Sequence, residues 1–145
     1  MSDALTNGRN LLAKMNPNLE AILAERYDAH LPGMAESLVE WAYGRHYARE
    51  GLDLRTRQLC TIAALTALGA QTTPQLKINI AHTRAAGASE AEILEVIWQM
   101  AIYGGMPAAI NGLNARLRCS RRRNADVWRR VFRDCIRLYP VKALK

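Results

Sequence analysis

The segment from Leu52 to Asn111 is divided by residues that end one helix and begin the next. Gly69 ends a first helical stretch, and Pro74 is placed for the first turn of a second. Gly87 suits the left-handed position that closes a helix, and Ser89 begins a third stretch as an N-cap. These residues divide the segment into three successive helices joined by short turns, before a further helical stretch that begins at Met106.

Apolar residues recur three and four positions apart along most of the chain, which is the period of an amphipathic helix. Alternating patterns and hairpin dipeptides are absent, so no stretch is predicted as a strand. The sequence therefore predicts an all-α protein, a single helical domain of about six or seven helices. The predicted helical stretches are Leu11–Met15, Leu19–His30, Met34–Tyr47, Leu54–Leu68, Pro74–Ala86, Glu92–Tyr103 and Met106–Leu117.

The stretch Met34–Tyr47 predicts an amphipathic α-helix with one apolar face. The residues expected on that face are Met34, Leu38, Trp41, Ala42 and Tyr43. Gly51 closes this helix, and Asp53 is the predicted N-cap of the next one, because its carboxylate accepts the unpaired N–H groups of a first turn.

Hydrophobic residues make up 50% of the chain, which is enough for a core. No run of about 18 apolar residues occurs, so no membrane span is expected. The first ten residues are polar, which argues against a secretory signal. The expected location is therefore the cytoplasm.

The net charge of +7 is concentrated at the C-terminal end. From Ala115 to Lys145 there are eleven Lys or Arg and two Asp or Glu, which is a net charge of +9. The preceding residues therefore carry a net charge of −2. Apolar residues within this end recur at helical spacing between arginines, from Val127 to Tyr139. We therefore predict a helical domain over residues 1–115 and a basic amphipathic tail over residues 116–145. This pattern indicates either a docking helix or a surface that binds nucleic acid, an anionic membrane or an acidic partner.

The three cysteines, Cys60, Cys119 and Cys135, form no CxxC pair and no zinc-type spacing. Cys60 is interpreted as a small apolar residue of a helix rather than as a nucleophile. The histidines His30 and His46 are expected at helix ends, as surface or capping residues. The dispersed histidines predict no metal site.

Three short patterns stand out between Leu54 and Asn111. They are Leu54-x-x-Arg57-x-Leu59-x-x-Ile62-Ala63-Ala64-Leu65, Glu92-Ile93-x-Glu95-Val96, and Met100-Ala101-x-Tyr103-x-Gly105-x-Pro107-Ala108-Ala109-x-Asn111. Together they resemble the carboxymuconolactone decarboxylase family, which shares its fold with alkylhydroperoxidase D-like proteins. With Ala42-Tyr43-Gly44 upstream, the resemblance covers residues 19–113.

The resemblance implies an all-helical protomer built around a central helical hairpin, and a homo-oligomer such as a trimer or a hexamer. It also implies a lyase that removes CO2 from a small carboxylated lactone without a cofactor. Two positions depart from the family pattern. Gln58 stands where a glutamate commonly follows the arginine, and Asn79 stands where the decarboxylases have a histidine, with His82 one turn later.

Decarboxylation needs a group that binds and orients the carboxylate, hydrogen-bond donors for the oxygen that receives the electron pair, and an acid that returns a proton to carbon. His82 is the predicted acid. Arg55 or Arg57 is predicted to hold a carboxylate. Gln58, Asn79 and Tyr103 are predicted donors to the lactone oxygen, with Gln58 at the catalytic position although it cannot act as a general base.

Each of these residues also has a structural interpretation. His82 is equally expected as a partly exposed helix residue, Arg55 as a partner of acidic neighbours, and Tyr103 as a core residue. Two further functions therefore stay open. One is a peroxidase-type antioxidant relative, which the missing CxxC disfavours. The other is a non-catalytic oligomeric protein that binds nucleic acid or an anionic membrane through the basic tail.

Overall fold

A computed structural model describes residues 3–120 of the chain. Seven α-helices, a π-helix and a short 3-10 turn account for most of these residues, and this part of the chain contains no strand. The α-helices are α1 (Asp3–Met15), α2 (Leu19–Tyr27), α3 (Met34–Leu38), α4 (Leu54–Ala67), α5 (Thr73–Ala85), α6 (Glu90–Tyr103) and α7 (Met106–Ser120). The π-helix covers Val39–Tyr47, and the 3-10 turn covers Ala70–Thr72. The all-α prediction is confirmed.

Helix boundaries agree with the sequence prediction except near the N-terminus. The first helix begins at Asp3, well before the predicted Leu11, and α2 ends at Tyr27. Asp53 caps α4 as predicted, since its Oδ1 accepts the Thr56 N–H at 2.9 Å. Gly87 has a φ of +93°, and the following N–H donates to Thr83 O, which closes α5.

The stretch predicted as one α-helix changes its winding at Val39. From there to Tyr47 the hydrogen bonds follow the i to i+5 pattern of a π-helix, which holds more residues in each turn. A single apolar face with α-helical period is therefore lost. The prediction that Trp41 and Tyr43 share that face is wrong, because Trp41 is 63% exposed whereas Tyr43 is buried.

The chain divides into two compact units. The first contains residues 3–61 and 81–90, and the second contains residues 62–80 and, within the described part, 91–120. The boundaries fall inside α4 and α5. Each unit has its own buried apolar residues.

In the first unit, α1 crosses the π-helix at two glycines. A Cβ on Gly8 would lie 2.5 Å from Val39 O, and one on Gly44 would overlap the Ala4 carbonyl group. Only glycine permits backbones to approach this closely. The buried apolar residues of the first unit include Leu5, Leu12, Met15, Leu19, Leu23, Ala35, Val39 and Tyr43.

An ion-pair group ties α1 to the next two helices. Arg9 Nη2 lies 2.6 Å from Glu20 Oε1 and 3.7 Å from Glu36 Oε2. The hydrogen bond from Arg9 lowers the pKa of Glu20 below its usual value. The group therefore joins α1 to α2 and α3, and Asn16 directly follows the last residue of α1.

The second unit is built from the rest of α4 and α5 with α6 and α7. Its buried residues include Ile62, Thr66, Leu76, Ile80, Ile93, Ile97, Ala108, Ala109 and Ala115. Several large apolar side chains of α6 and α7 remain about half exposed or more, and they include Trp98, Ile102, Met106 and Ile110. We call these four residues the apolar face.

The helix α7 continues through residue 116, where the sequence predicts the boundary between domain and tail. The basic amphipathic stretch Val127–Tyr139 lies outside the described residues, so this boundary and the function of the tail stay predictions. Among the helices of the described part, none is long and apolar enough to cross a membrane.

Candidate functional site

Two neighbouring features of the first unit contain chemically useful groups. One is a buried polar cluster around His82, and the other is a cavity beside the π-helix. Both are formed by residues of that unit alone.

His82 is the centre of the buried cluster. It lies in the last turn of α5 and is only 1% exposed. Asn16 Nδ2 is 3.2 Å from its Nε2, and Tyr43 Oη is 3.5 Å from its Nδ1. Because the Asn16 amide nitrogen donates, Nε2 accepts, and the ring proton is on Nδ1 beside Tyr43. The predicted acid is therefore an enclosed group that connects α5 to α1 and to the π-helix.

Burial keeps the two titratable groups of the cluster uncharged. It lowers the pKa of His82 to about 4, because the imidazolium would lose its hydration. It raises the pKa of the Tyr43 phenol, and the nearby Tyr47 adds to that effect. At neutral pH the cluster consists of a neutral imidazole, a phenol and an amide. His82 thus has few protons to give as an imidazolium.

Gln58 is buried on the α4 side of the first unit. Its backbone oxygen accepts a hydrogen bond from Thr83 Oγ1 at 3.5 Å, one residue after His82. Its side chain is fully enclosed, and neither amide atom has a hydrogen-bond partner among the described residues. A buried unpaired amide costs about 1–3 kcal/mol, so such groups are uncommon outside functional sites.

The cavity has a volume of about 340 Å³, near the lower end for small-molecule sites. Four of the lining residues are apolar or aromatic, three are polar, and one is a cysteine. The lining residues are Trp41, Ala42, His46, Tyr47, Leu52, Arg57, Cys60 and Thr61.

His46 is held in place at the cavity by the winding of the π-helix. Its Nδ1 donates to the Trp41 carbonyl oxygen at 2.9 Å, five residues earlier, and its ring lies 4.5 Å from the Trp41 ring. A carbonyl oxygen can only accept, so Nδ1 carries a proton. Nε2 has no partner among the described residues and is the nitrogen that can exchange a proton with a ligand.

Arg57 presents a fixed guanidinium to the same cavity. Its Nε donates to Leu52 O at 3.1 Å, and its Nη2 donates to Arg49 O at 3.0 Å and to Glu50 O at 3.3 Å. These acceptors are neutral, and no acidic residue of the described part forms an ion pair with Arg57. The second amino nitrogen, Nη1, has no hydrogen bond there. The positive charge is therefore oriented but not neutralised.

Tyr47 connects the cavity with the buried cluster. Thr61 Oγ1 donates to Arg57 O at 3.0 Å, so it accepts the Tyr47 hydroxyl proton across another 3.0 Å. The Tyr47 and Tyr43 rings are 5.4 Å apart, and the Tyr43 and His82 rings are 6.2 Å apart. A change at His82 can thus reach the cavity wall through two aromatic rings.

The residues predicted from the sequence are distributed over both units. Arg57 lies at the cavity, and His82 and Gln58 are buried in the first unit. Arg55 is half-buried on α4 and is the smallest of the influences that lower the Asp53 carboxyl pKa, after the hydrogen bonds from Thr56. It does not line the cavity.

The other two predicted residues belong to the second unit. Asn79 donates from its side-chain amide to Gln75 O at 2.9 Å. Tyr103 ends α6 and is 75% exposed, so its interpretation as a core residue is wrong. Functional roles for all six predicted site residues stay predictions.

Sequence reasoning did not identify the cavity residues Trp41, Tyr47 and Thr61, and it assigned His46 only a surface or capping role. Their convergence depends on the π-helix, which brings residues five apart together. Apolar periodicity does not reveal that winding. Cys60 is in a helix as predicted, and it is exposed at the cavity wall. In the part of the chain that the structure describes, no three His, Cys, Asp or Glu residues are grouped to hold a metal.

Comparison with known proteins assigns the chain to a protein family. The family model for carboxymuconolactone decarboxylases matches residues 32–116, which include the whole cavity lining. The chain belongs to the carboxymuconolactone decarboxylase family. Members of the carboxymuconolactone decarboxylase family have an all-α, alkylhydroperoxidase D-like fold, so the resemblance inferred from the sequence and the predicted fold are both confirmed.

Three relatives extend this comparison. A 15.0 kDa uncharacterised protein of Paracoccus denitrificans, encoded between nqo9 and nqo10, is 38% identical over 72% of this chain and 78% of its own length. The nitrosuccinic acid decarboxylase of Metarhizium robertsii is 35% identical over 57% of this chain. The 4-carboxymuconolactone decarboxylase of Acinetobacter baylyi is 35% identical over 48% of it. The matched regions span 55% and 50% of these two decarboxylases.

Proposed function

We propose that this protein is a lyase of the decarboxylase type that acts, without a cofactor, on a small carboxylated lactone or a related carboxylic acid. Family membership and two decarboxylase relatives support this class of activity. The observation that carries the proposal is the cavity beside the π-helix. It combines an oriented guanidinium, an oriented imidazole and apolar walls in a volume suited to a small molecule.

The chemistry requires few groups. The bond between the substrate carbon and its carboxylate breaks, CO2 leaves, and the electron pair moves through the unsaturated system to an oxygen atom. A proton then returns to carbon. In this cavity Arg57 binds a carboxylate and His46 Nε2 delivers the proton.

His46 replaces His82 as our proposed proton donor. His46 lines the cavity with an available Nε2, whereas both ring nitrogens of His82 have partners and its pKa of about 4 leaves it neutral. We propose that His82 acts indirectly, by positioning Tyr43 and Tyr47. The original assignment of His82 as the acid is tested by the same variants.

The test is turnover by the full chain. We would supply 4-carboxymuconolactone and nitrosuccinate, the substrates for which two relatives are named, and measure released CO2. We expect release above the uncatalysed rate with at least one of them. His46→Gln should lower kcat about 100-fold, as loss of a general acid does. Arg84→Gln removes an exposed ion pair with Glu90 and is the matched control with unchanged rate. Buffer-level release from both substrates would contradict the proposal.

We also propose that the protein assembles with copies of itself. The apolar face on α6 and α7 supports this, because large exposed apolar patches commonly mark protein contacts. Ile102 is the most exposed of its four residues, at 78%. We propose a cytoplasmic location as well.

A further inference from the structure

The apolar face belongs to two helices that pack closely against each other. A Cβ on Gly112 of α7 would lie 2.8 Å from Ile97 Cγ2 of α6, so the two helices are in contact there. On each helix the two residues of the face are four positions apart, which places them on one side of that helix. Leu117, which is 55% exposed, continues the α7 side seven residues after Ile110. A group of exposed apolar side chains commonly marks a contact.

The C-terminal tail contains a sequence pattern that matches such a surface. Between Val127 and Tyr139, eight of thirteen residues are apolar, and at about 100° per residue they fall within about half of the circumference of a helix. The eight are Val127, Trp128, Val131, Phe132, Cys135, Ile136, Leu138 and Tyr139. The other half carries Arg129, Arg130, Arg133, Asp134 and Arg137. Because this apolar half is wide, it suits a helix that lies against two others and keeps its arginines in water.

The tail is long enough to cover this surface, and the segment before it is short. Six residues, 121–126, separate Val127 from Ser120 at the end of the described part of α7, and helix–helix connections commonly have about two to eight residues. Thirteen helical residues span about 20 Å, and the α7 side from Met106 to Leu117 spans about 17 Å. We therefore expect the tail to turn back and run antiparallel to α7.

We infer that residues 127–139 form a helix that packs on the apolar face of its own chain. Docking buries both apolar surfaces at once, whereas binding of the tail to a membrane or a nucleic acid would leave the face exposed. Glu95 is exposed on the same side of α6, three residues before Trp98, and is an acidic neighbour for the arginines of the tail. Because the same face supports the self-association proposed above, the tail competes there with a second copy; this competition, unlike the docking, rests on that proposal.

The antiparallel arrangement fixes which residues meet. If Val127 lies level with Ser120, each step along the tail is matched by one step back along α7. Cys135 is then within about two positions, or 3 Å along the axis, of Ile110 and about five positions, or 7.5 Å, from Leu117. A disulfide needs Cα atoms within about 7 Å of each other. Cys135 should therefore reach a cysteine at position 110 and not one at position 117.

Disulfide trapping in the full chain tests this docking. Cys60→Ser and Cys119→Ser leave Cys135 as the only natural thiol, and Ile110→Cys or Leu117→Cys adds one on α7. The two positions are matched, since both lie on the same side of α7 and are 47% and 55% exposed. The variants are oxidised with copper phenanthroline at micromolar concentration, after thermal unfolding of the reduced forms has shown that they are folded. Non-reducing electrophoresis and peptide mass spectrometry identify the products.

The docking predicts a disulfide within one chain in at least about half of the Ile110→Cys molecules and in less than about a tenth of the Leu117→Cys molecules. Equal yields at the two positions would overturn it, because they would report random collision. A disulfide between two chains would assign the face to the tail of a second copy and overturn docking within one chain. No product at either position would also overturn it.

The competition is tested by the concentration dependence of the molar mass from light scattering. Phe132→Gln weakens the apolar half of the tail, so the Kd of self-association should fall at least about threefold. Arg133→Gln, on the other half, should match wild type. A Kd that is unchanged or higher in Phe132→Gln would overturn the competition. Wild type that stays monomeric at every concentration would contradict the proposed self-association, and the disulfide result would still decide the docking.

Discussion

The side-chain amide of Asn16 lies 3.2 Å from Nε2 of His82, across 66 residues of sequence. This contact ties the end of α1 to the last turn of α5 and encloses the imidazole. Enclosure lowers the pKa of His82 to about 4, against about 6.5 in an unfolded chain. Part of the pH dependence of the stability of the fold should therefore come from this residue.

The first prediction follows from the direction of that pKa difference. Between pH 6.5 and pH 4 the unfolded chain binds a proton at residue 82 and the folded chain does not, so stability falls as pH falls through this window. The loss at the acid end should be about 3 kcal/mol. Urea unfolding at pH 7.5 and pH 4.5 measures it. In His82→Gln the decrease should be smaller by that amount, since carboxylates such as Glu20 titrate equally in both proteins. Identical decreases would contradict the prediction.

A second prediction concerns the crossing of α1 and the π-helix. Alanine normally stabilises a helix relative to glycine by about 0.5–1 kcal/mol. In Gly44→Ala the new methyl would overlap the Ala4 carbonyl, so the helices must separate, and we expect a loss of about 1–3 kcal/mol instead. Denaturant unfolding measures whether the free energy of unfolding falls or rises in Gly44→Ala. Asn10→Ala on the exposed side of α1 is the control that should not destabilise.

The third prediction separates the two histidines by the rate that each variant retains. If His46 delivers the proton, His46→Gln should lose most of kcat. His82→Gln should lower kcat only modestly, because it acts through the tyrosine rings. The opposite pattern would return the role of acid to His82.

The fourth prediction tests the apolar face. A charge at Ile102 should prevent that residue from being buried against a second copy. We expect Ile102→Glu to reduce the molar mass measured by light scattering after gel filtration. Ala91→Glu adds the same charge to an exposed position of the same helix and should leave the mass unchanged. An identical mass for Ile102→Glu and wild type would argue against this surface as the contact.

Much of the architecture was predictable from local signals. Asp53 as a cap and Gly87 as a helix end act over a single turn, so their effect can be read from neighbouring residues. The patterns around Arg57 and Tyr103 were sufficient to recognise the family. The sequence also predicted that Arg55 or Arg57 binds a carboxylate, and that role remains a prediction.

The winding of the π-helix was not predictable, because an amphipathic pattern fits an α-helix equally well. That winding places His46 against Trp41 and opens the cavity between the π-helix and α4. Gly8 and Gly44 gave no local sign of a close crossing, since the reason for each glycine lies on the other helix.

By itself, the sequence determined the all-α class, the positions of most helix ends and the family, because these depend on short-range periodicity, caps and motifs. The tertiary structure alone decided the protonation of His82, the exposure of Tyr103 and the placement of His46 and Arg57 at one cavity. Each of these depends on which distant groups remove water from a side chain or contact it, and a linear pattern does not contain that information.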